Sequence, residues 1–464
     1  MTIDARHPLP GSRPLVMGAA RSGLAAARML AGHGLDVRLA DAKFAGAAGA
    51  ERGEELRRAG ACASWDVDDP RALEGRDFVV WSPGIPVTHP VARAARAAGV
   101  PVLSELEIGF LAARAPFLCV TGTNGKSTTT HLAGALLRGA GRQAEVCGNI
   151  GRALCEVAEA VPPTGLLVVE ISSFQLETVD RLKPFVATWL NLTPDHLDRH
   201  RDFNEYGAVK QRLFARQDEG DYAVWNADDP EVMSRRAGRG AWLEFSARRP
   251  VEEGACAVDG RLRLGWRGGV EELMPAGELR LRGPHNLMNA LAAVTTVMPV
   301  EPAPAAMRAV LRAYGGLEHR LETVATVAGV DFVNDSKATN TSSLEVALRS
   351  FDVPVVLIAG GRDKGQDFRA LAPLVRERTS AVVLIGEGAD RLAAHWAGAN
   401  LLRAASLAGA VDLAFETARR AAGAPATVLL SPGCASFDMF ADYEDRGRRF
   451  KQEVARLATR EEGA

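Results

Sequence analysis

Short apolar runs recur along the chain, and stretches with helical spacing separate them. "PLVMG" (14–18), "DVRLAD" (36–41), "DFVVWSPGI" (77–85) and "VPVLSE" (100–105) form a first series, with a helix predicted from about Ser22 to Gly32. "ARAPF" (113–117) marks a break. Beyond it a second series holds "LLVVEISS" (166–173), "ATWLNLTPDH" (187–196) and "YAVWNADDP" (222–230). From about 241 to 282 the text changes to short alternating pieces with glycine turns, which predicts a small antiparallel addition. "NLMNALAAVTTV" (286–297) returns to a helix, and Gly315-Gly316 is a candidate hinge. "VDFVNDS", "PVVLIAGG", "SAVVLIGEG" and "ATVLLSPG" make a third series, closed by a charged helix from Tyr443. Apolar runs alternating with helices predict an α/β protein with mostly parallel sheets. No low-complexity tract or short-period repeat interrupts the pattern.

Composition narrows the classes. A chain of 464 residues exceeds what one core holds, so two to four domains are expected. The 47% hydrophobic and 24% charged shares are those of a soluble globular protein, and a net charge of -2 provides no basic field for nucleic acid. The opening "MTIDARHPLPGSRP" has no signal-type apolar stretch, and no run is long enough to span a bilayer. Six cysteines, at 62, 119, 147, 155, 256 and 434, lack C-x-x-C spacing and read as reduced, mostly buried thiols. A soluble, cytoplasmic, multidomain protein is expected, with no nucleic-acid or membrane partner.

"VTGTNGKSTTT" (120–130) follows an apolar run and opens a helix. A glycine turn there lets backbone N–H groups and a helix N-terminus receive phosphate oxygens. Lys126 would neutralise the outer phosphates, and Ser127 or Thr128 would reach magnesium. The usual loop has glycine five residues before Gly-Lys; Val120 stands there, and Gly122 comes two places later. A shortened loop sets the chain apart from generic nucleoside triphosphatases. Glu170 ends the run "LLVVE", the strand-end position of a metal-binding acid. "NLTPDHLDRH" carries Asp195, His196, Asp198 and His200. The H-x-x-x-H spacing could bind zinc on a helix, but Leu197 stands where a zinc protease has glutamate; a second magnesium site or a structural role fits better. "GAARSG" resembles the dinucleotide fingerprint, with Asp41 ending the next strand, but Ala20 replaces the middle glycine and hinders close approach of a pyrophosphate. A differently held nucleotide and a bare structural turn both remain open. Lys337, Lys364 and Ser436 lie on loops just beyond strand runs, the edge where open α/β sheets bind ligands, and their joint placement suggests an anionic substrate.

Together "TGTNGKST", "GNIG", "EISSFQLE", "NLTPDHLDRH", "GPHNLMNA", "GLEHRLE", "NDSKATN" and "LLSPGCASFD" resemble the Mur ligase family of bacterial cell-wall synthesis, in the family's order over nearly the whole chain. "NDSKATN" is similar to the branch that adds glutamate; sister ligases typically carry a D-D-Y-A-H-type sequence there. The resemblance implies three domains: a Rossmann-like UDP-binding unit (1–112), a central P-loop ATPase domain (113–315) and a Rossmann-like glutamate-binding unit (316–464). It implies that ATP phosphorylates the carboxylate of UDP-N-acetylmuramoyl-L-alanine and that glutamate, D-glutamate by family habit, captures the acyl phosphate. It implies a monomer that uses two magnesium ions.

Carried over by position, the resemblance gives Gly122, Thr123, Asn124, Gly125, Lys126, Ser127, Thr128, Asn289, Arg320 and Asp335 to ATP. Ser127, Glu170, His196 and Lys210 go to the metals, with Lys210 carbamylated; on the residues alone Lys210 is an ordinary helical lysine. Ser22, Asp41, Lys43, Asn149, Ser172 and Gln175 go to the UDP-sugar, and Lys337, Thr339, Lys364, Ser436 and Tyr443 to glutamate. Tyr443 and Ala42 depart from the matching pattern, which has phenylalanine and a hydroxyl residue there. A folylpolyglutamate synthase shares the short loop but lacks a unit like residues 1–110. A nucleotide-binding regulator built on the first unit is opposed by Ala20. A scaffold without catalysis is opposed by the presence of Lys126, Glu170, His196 and Lys210.

Overall fold

The structure, a computed structural model, describes residues 9–41, 53–54, 56–58, 60–64, 69–197, 199–281, 283–351, 353–363, 366–420 and 426–462. Ala42, Lys43, Asp198 and Lys364 lie outside the described residues. The chain divides into two compact units, Met1–Tyr314 and Gly315–Ala464.

The first unit carries two sheets. Strands β1 (Pro14–Met17), β2 (Arg38–Ala40), β3 (Cys62–Ser64), β4 (Phe78–Trp81) and β5 (Val102–Ser104) form a parallel sheet in the order β3-β2-β1-β4-β5. Its order reverses between β1 and β4, beside the helix Arg21–Gly32. The second sheet contains β6 (Phe117–Thr121), β7 (Ala144–Gly148), β8 (Leu166–Glu170), β9 (Val186–Trp189), β10 (Tyr222–Asn226) and β11 (Ala241–Ser246), then β12 (Gly254–Val258), β13 (Arg261–Trp266) and β14 (Gly269–Pro275). Their order is β14-β13-β12-β11-β10-β9-β6-β8-β7. β6 and β8 are buried at every position, which is why they read as unbroken apolar runs: helices cover both faces of a parallel sheet.

The antiparallel addition expected over 241–282 is present over Gly254–Pro275. β11 pairs in parallel with both β10 and β12, and only β12–β14 are antiparallel, as the continuing edge of the same sheet. Alternating burial along β13 and the exposed start of β14 made these strands look like a separate piece.

The second unit holds β15 (Glu322–Val327), β16 (Val330–Asn334), β17 (Val355–Gly360), β18 (Thr379–Ile385), β19 (Leu401–Arg403) and β20 (Ala426–Leu430) in the order β15-β16-β20-β17-β18-β19. All neighbours are parallel except β15 and β16. The closing helix runs Tyr443–Glu462. All six cysteines are free thiols, five buried and Cys62 exposed. Among the described residues no helix is long and apolar enough to cross a membrane.

The two sheets of the first unit share one hydrophobic core, which runs from Val16 and Leu24 through Leu106 and Leu154 to Trp189. Two buried acids of the helix Glu105–Ala112 fasten it. Glu107 accepts the N–H groups of Asp180 (3.1 Å), Arg181 (2.7 Å) and Leu182 (3.2 Å). Glu105 accepts the N–H of Cys155 (2.7 Å) through Oε1, and its buried Oε2 has no hydrogen-bond partner among the described residues. Burial pushes the Glu105 carboxyl up to about 7. The folded state keeps this proton to higher pH than the unfolded chain does. Its contribution to stability is therefore complete below the ordinary carboxylate range and is lost as pH rises through about 7. Glu105→Gln, which cannot ionise, is expected to gain on the parent by on the order of 2 kcal/mol between about pH 4.5 and pH 8 in denaturant titrations. A difference independent of pH would contradict this.

Candidate active site

β6 ends at Thr121, and residues 122–125 turn into the helix Lys126–Gly139. Gly125 caps that helix at φ 84°, a conformation in which glycine carries no Cβ penalty. A methyl group there would stand 2.2 Å from Asn289 Oδ1, so the loop fits closely against the helix Pro284–Val297. Asn289 Oδ1 also accepts the Thr129 hydroxyl at 3.4 Å. Lys126 Nζ folds back and donates to the carbonyls of Gly122 (3.0 Å) and Thr123 (2.8 Å), so its charge lies over the mouth of the loop. Ser127 and Thr128 are buried in the first helical turn.

Asn191, just past β9, braces the same loop. Its Oδ1 accepts the N–H groups of Thr123 (3.0 Å) and Asn124 (2.8 Å), and its Nδ2 donates to the carbonyl of Asn124 (3.1 Å). Asn191→Ala removes three hydrogen bonds that hold the turn open, and is expected to raise the dissociation constant for ATP about tenfold in a nucleotide titration. Unchanged affinity would show that the turn keeps its shape unaided.

Glu170 stands at the end of β8, 2% exposed. Its Oε1 accepts Asn149 Nδ2 at 2.8 Å, while its buried Oε2 has no hydrogen-bond partner among the described residues. A carboxylate oxygen left unpaired in a buried site is poised for a cation or a donor that a ligand supplies.

Lys210, on the helix Phe203–Gln211, is 1% exposed. It donates to the Gly122 carbonyl at 2.9 Å and sits 4.7 Å from the centre of the Tyr206 ring. Burial, and then the neighbouring charge of Lys126, holds its ammonium well below the usual lysine range, and Asp195 and Glu170 only partly oppose this.

Residues 191–197 and 199–200 are irregular, not helical. His196 adopts φ 55° and its ring lies 4.8 Å from that of Phe174. His200 is buried; its Nε2 lies 3.0 Å from the Ser173 hydroxyl, and burial lowers its pKa. The second histidine of the H-x-x-x-H spacing thus has its Nε2 turned to the Ser173 hydroxyl. Among the described residues no three His, Cys, Asp or Glu side chains form a group that could hold a metal by themselves.

Ser172 and Gln175 cap the short helix Ser173–Leu176 reciprocally: the Gln175 N–H donates to Ser172 Oγ at 3.3 Å, and the Ser172 N–H donates to Gln175 Oε1 at 3.0 Å. At the switch point of the first sheet, Asp41 accepts the Ala19 N–H at 2.7 Å and Ser22 lies in the first turn of its helix. Gly23 permits that helix to approach the turn, because a Cβ would stand 1.8 Å from the Gly18 carbonyl.

In the second unit Asp335 is buried at the end of β16. It accepts the Leu321 N–H (3.2 Å) and the Ser431 hydroxyl (2.8 Å), and burial pushes its carboxyl up to about 7. Arg320 and Lys337 are half-buried nearby in the chain, and the Lys337 N–H donates to the His319 carbonyl at 3.0 Å. Arg446 is completely buried, and donates to Ser336 Oγ (2.9 Å), the Ser336 carbonyl (2.8 Å) and the Cys434 carbonyl (3.1 Å). It thereby ties the Lys337 loop to the loop of Ser436, and Ser336 Oγ donates to the Tyr443 carbonyl at 2.7 Å. Thr339 is half-buried and Ser436 buried.

Sequence reasoning passed over Asn191, Arg199 and Arg446, although each lies in or beside a motif it had singled out. A polar side chain inside a strand-end motif was the available signal.

Three family descriptions match the chain: "Mur ligase MurD-like, N-terminal domain" over residues 12–104, "Mur ligase middle domain" over 120–297 and "Mur ligase, glutamate ligase domain" over 319–434. A UDP-N-acetylmuramoylalanine–D-glutamate ligase of Pelotomaculum thermopropionicum is 44% identical over 447 residues, 96% of this chain and 97% of that one. One of Myxococcus xanthus is 43% identical over 459 residues, covering 97% and 99%. The crystal structure of UDP-N-acetylmuramate–alanine ligase MurC from Thermotoga maritima superposes with a TM-score of 0.54 at 16% identity, covering 96% of this chain and 99% of that one.

Proposed function

The chain belongs to the Mur ligase family, and from that membership we propose that it joins D-glutamate to UDP-N-acetylmuramoyl-L-alanine at the expense of ATP, in the synthesis of peptidoglycan precursors. The single observation that carries the reading is the near full-length similarity to relatives named for this reaction, at 38–44% identity. The three spans 1–112, 113–315 and 316–464 would hold the sugar nucleotide, ATP and glutamate, and the three matched family segments each fall within one of them. A cytoplasmic location follows from substrates made in the cytoplasm.

A carboxylate resists an amine because its charge repels the nucleophile and oxide is a poor leaving group. Phosphorylation removes both obstacles. A carboxylate oxygen of the acceptor bonds to the γ-phosphorus and the bond to ADP breaks. The glutamate nitrogen then bonds to the acyl carbon, sheds a proton, and the carbon–oxygen bond to phosphate breaks. Lys126 is placed to lie against the phosphate oxygens at both steps, and the loop 122–125 to receive the triphosphate.

Magnesium fits the residues present. The Glu170 Oε2, which has no partner among the described residues, and the Ser127 hydroxyl would hold a first ion and the half-exposed His196 ring a second, each together with phosphate oxygens. When bound, magnesium supplies charge neutralisation of the crowded phosphate and carboxylate oxygens. Lys210 would join this set as a carbamate.

The deciding assay is ADP release and amide formation with the acceptor and, separately, D- and L-glutamate. Release that requires the acceptor and D-glutamate is expected. Release needing neither substrate, or only a folate acceptor, would overturn the reading, and preference for L-glutamate would correct its amino acid.

A further inference from the structure

Arg199 occupies a place that the mechanism above does not use. It is 12% exposed and grips Glu177, itself 8% exposed, through two bonds: Nε to Oε1 at 3.2 Å and Nη2 to Oε2 at 2.6 Å. The same guanidinium donates to the carbonyls of Pro83 (3.2 Å) and Ile85 (2.9 Å), more than a hundred residues earlier in the chain. Its carbon centre stands 4.8 Å from the middle of the Phe174 ring. That ring is also 4.8 Å from His196.

Residues 82–85 form the turn that follows β4, at the switch point of the first sheet. Ser82 donates its N–H to the Met17 carbonyl (3.1 Å) and its hydroxyl to the Gly18 carbonyl (3.4 Å), so this turn is tied to the glycine turn ahead of Ser22. The Ile85 carbonyl also accepts Trp81 Nε1 at 2.8 Å. One guanidinium therefore joins the nucleotide-sugar end of the first sheet to the aromatic support under His196. Planarity suits it to this: only a fork of donors can meet a carboxylate, two carbonyls and a ring face at once.

We propose that Arg199, paired with Glu177, is a positioning residue that couples the hold on the uridine diphosphate end of the acceptor to the placement of its reacting carboxylate. The inference rests on the proposed ligase reading. Grip on a remote, unreacting part of a substrate raises turnover only if the framework between it and the reacting centre is rigid. Arg199 supplies that rigidity at the joint between the two sheets. Without it, the acceptor still binds by both ends, but its carboxylate wanders relative to the phosphoryl group.

The test compares Arg199→Ala, Arg199→Lys and Glu177→Gln with the parent enzyme in two measurements. One is the equilibrium affinity for UDP-N-acetylmuramoyl-L-alanine without ATP; the other is kcat with all substrates saturating. In Arg199→Ala acceptor affinity is expected to stay within about threefold while kcat falls at least about thirtyfold. Arg199→Lys, which keeps the charge but loses the fork, and Glu177→Gln should lie between, and both keep the proposal testable if the alanine variant does not fold. Unchanged kcat, or affinity falling in step with kcat, would overturn it, because the joint would then be idle or merely hold the fold together. A parent enzyme that binds the acceptor but forms no amide with any glutamate would instead sink the functional reading beneath it.

Discussion

Replacing Lys126 by alanine is expected to lower kcat/KM between about 100- and 1000-fold, a loss of about 3 to 4 kcal/mol of transition-state stabilisation. The side chain reaches over the loop to the carbonyls of Gly122 and Thr123, which on the proposed reading sets its ammonium beside the outer phosphates. Those two bonds need no lysine for the fold: alanine is a good helix former at the first position of Lys126–Gly139, and circular dichroism should be unchanged. The effect belongs to the chemical step, since negative charge is shared among more oxygens as the phosphoryl group moves. Steady-state kinetics with ATP varied would show the loss; full turnover in a folded variant would remove the loop from catalysis.

Lys210 should matter almost as much, for a different reason. Burial and the neighbouring Lys126 shift the Lys210 ammonium toward its neutral form, and the neutral amine is the form that attacks carbon dioxide: a nitrogen–carbon bond forms, a proton leaves, and the side chain becomes an anion. The proposed carbamate would relieve the repulsion with Lys126 and add an oxygen ligand beside Glu170. Lys210→Ala is expected to lose on the order of 100-fold in turnover and to regain part of it with added formate or acetate. The parent enzyme, stripped of carbon dioxide, should weaken and recover with bicarbonate. If neither rescue occurs, Lys210 acts as an amine only.

Much of this was legible in the chain. Strands buried on both faces have no choice but to be apolar, so β6, β8, β17 and β20 announce themselves. The loop at 122–127 is legible because its chemistry is local: glycines, lysine and hydroxyls must follow one another to wrap one phosphate. Asn191, Arg199 and Arg446 were hidden because their roles come from contacts with Asn124, Pro83 and Ser336, far away in sequence. The surroundings of the H-x-x-x-H spacing were equally out of reach. That spacing implies one helical face, but His196 is left-handed, and the two rings bracket Phe174 while His200 is engaged by Ser173. β15, with its mixed exposure, carried too weak a pattern to be found beforehand. Lys43 and Lys364 lie outside the described residues.

The acid group of the acceptor, synthesised with a heavy oxygen isotope in its carboxylate, provides the most direct measurement. After one round of reaction with D-glutamate and unlabelled ATP, the released inorganic phosphate is expected to carry one heavy oxygen, transferred when the carboxylate took the γ-phosphoryl group. Phosphate free of label, with amide formed, would mean that the carboxylate never bonded to phosphorus, and the account of activation would be wrong.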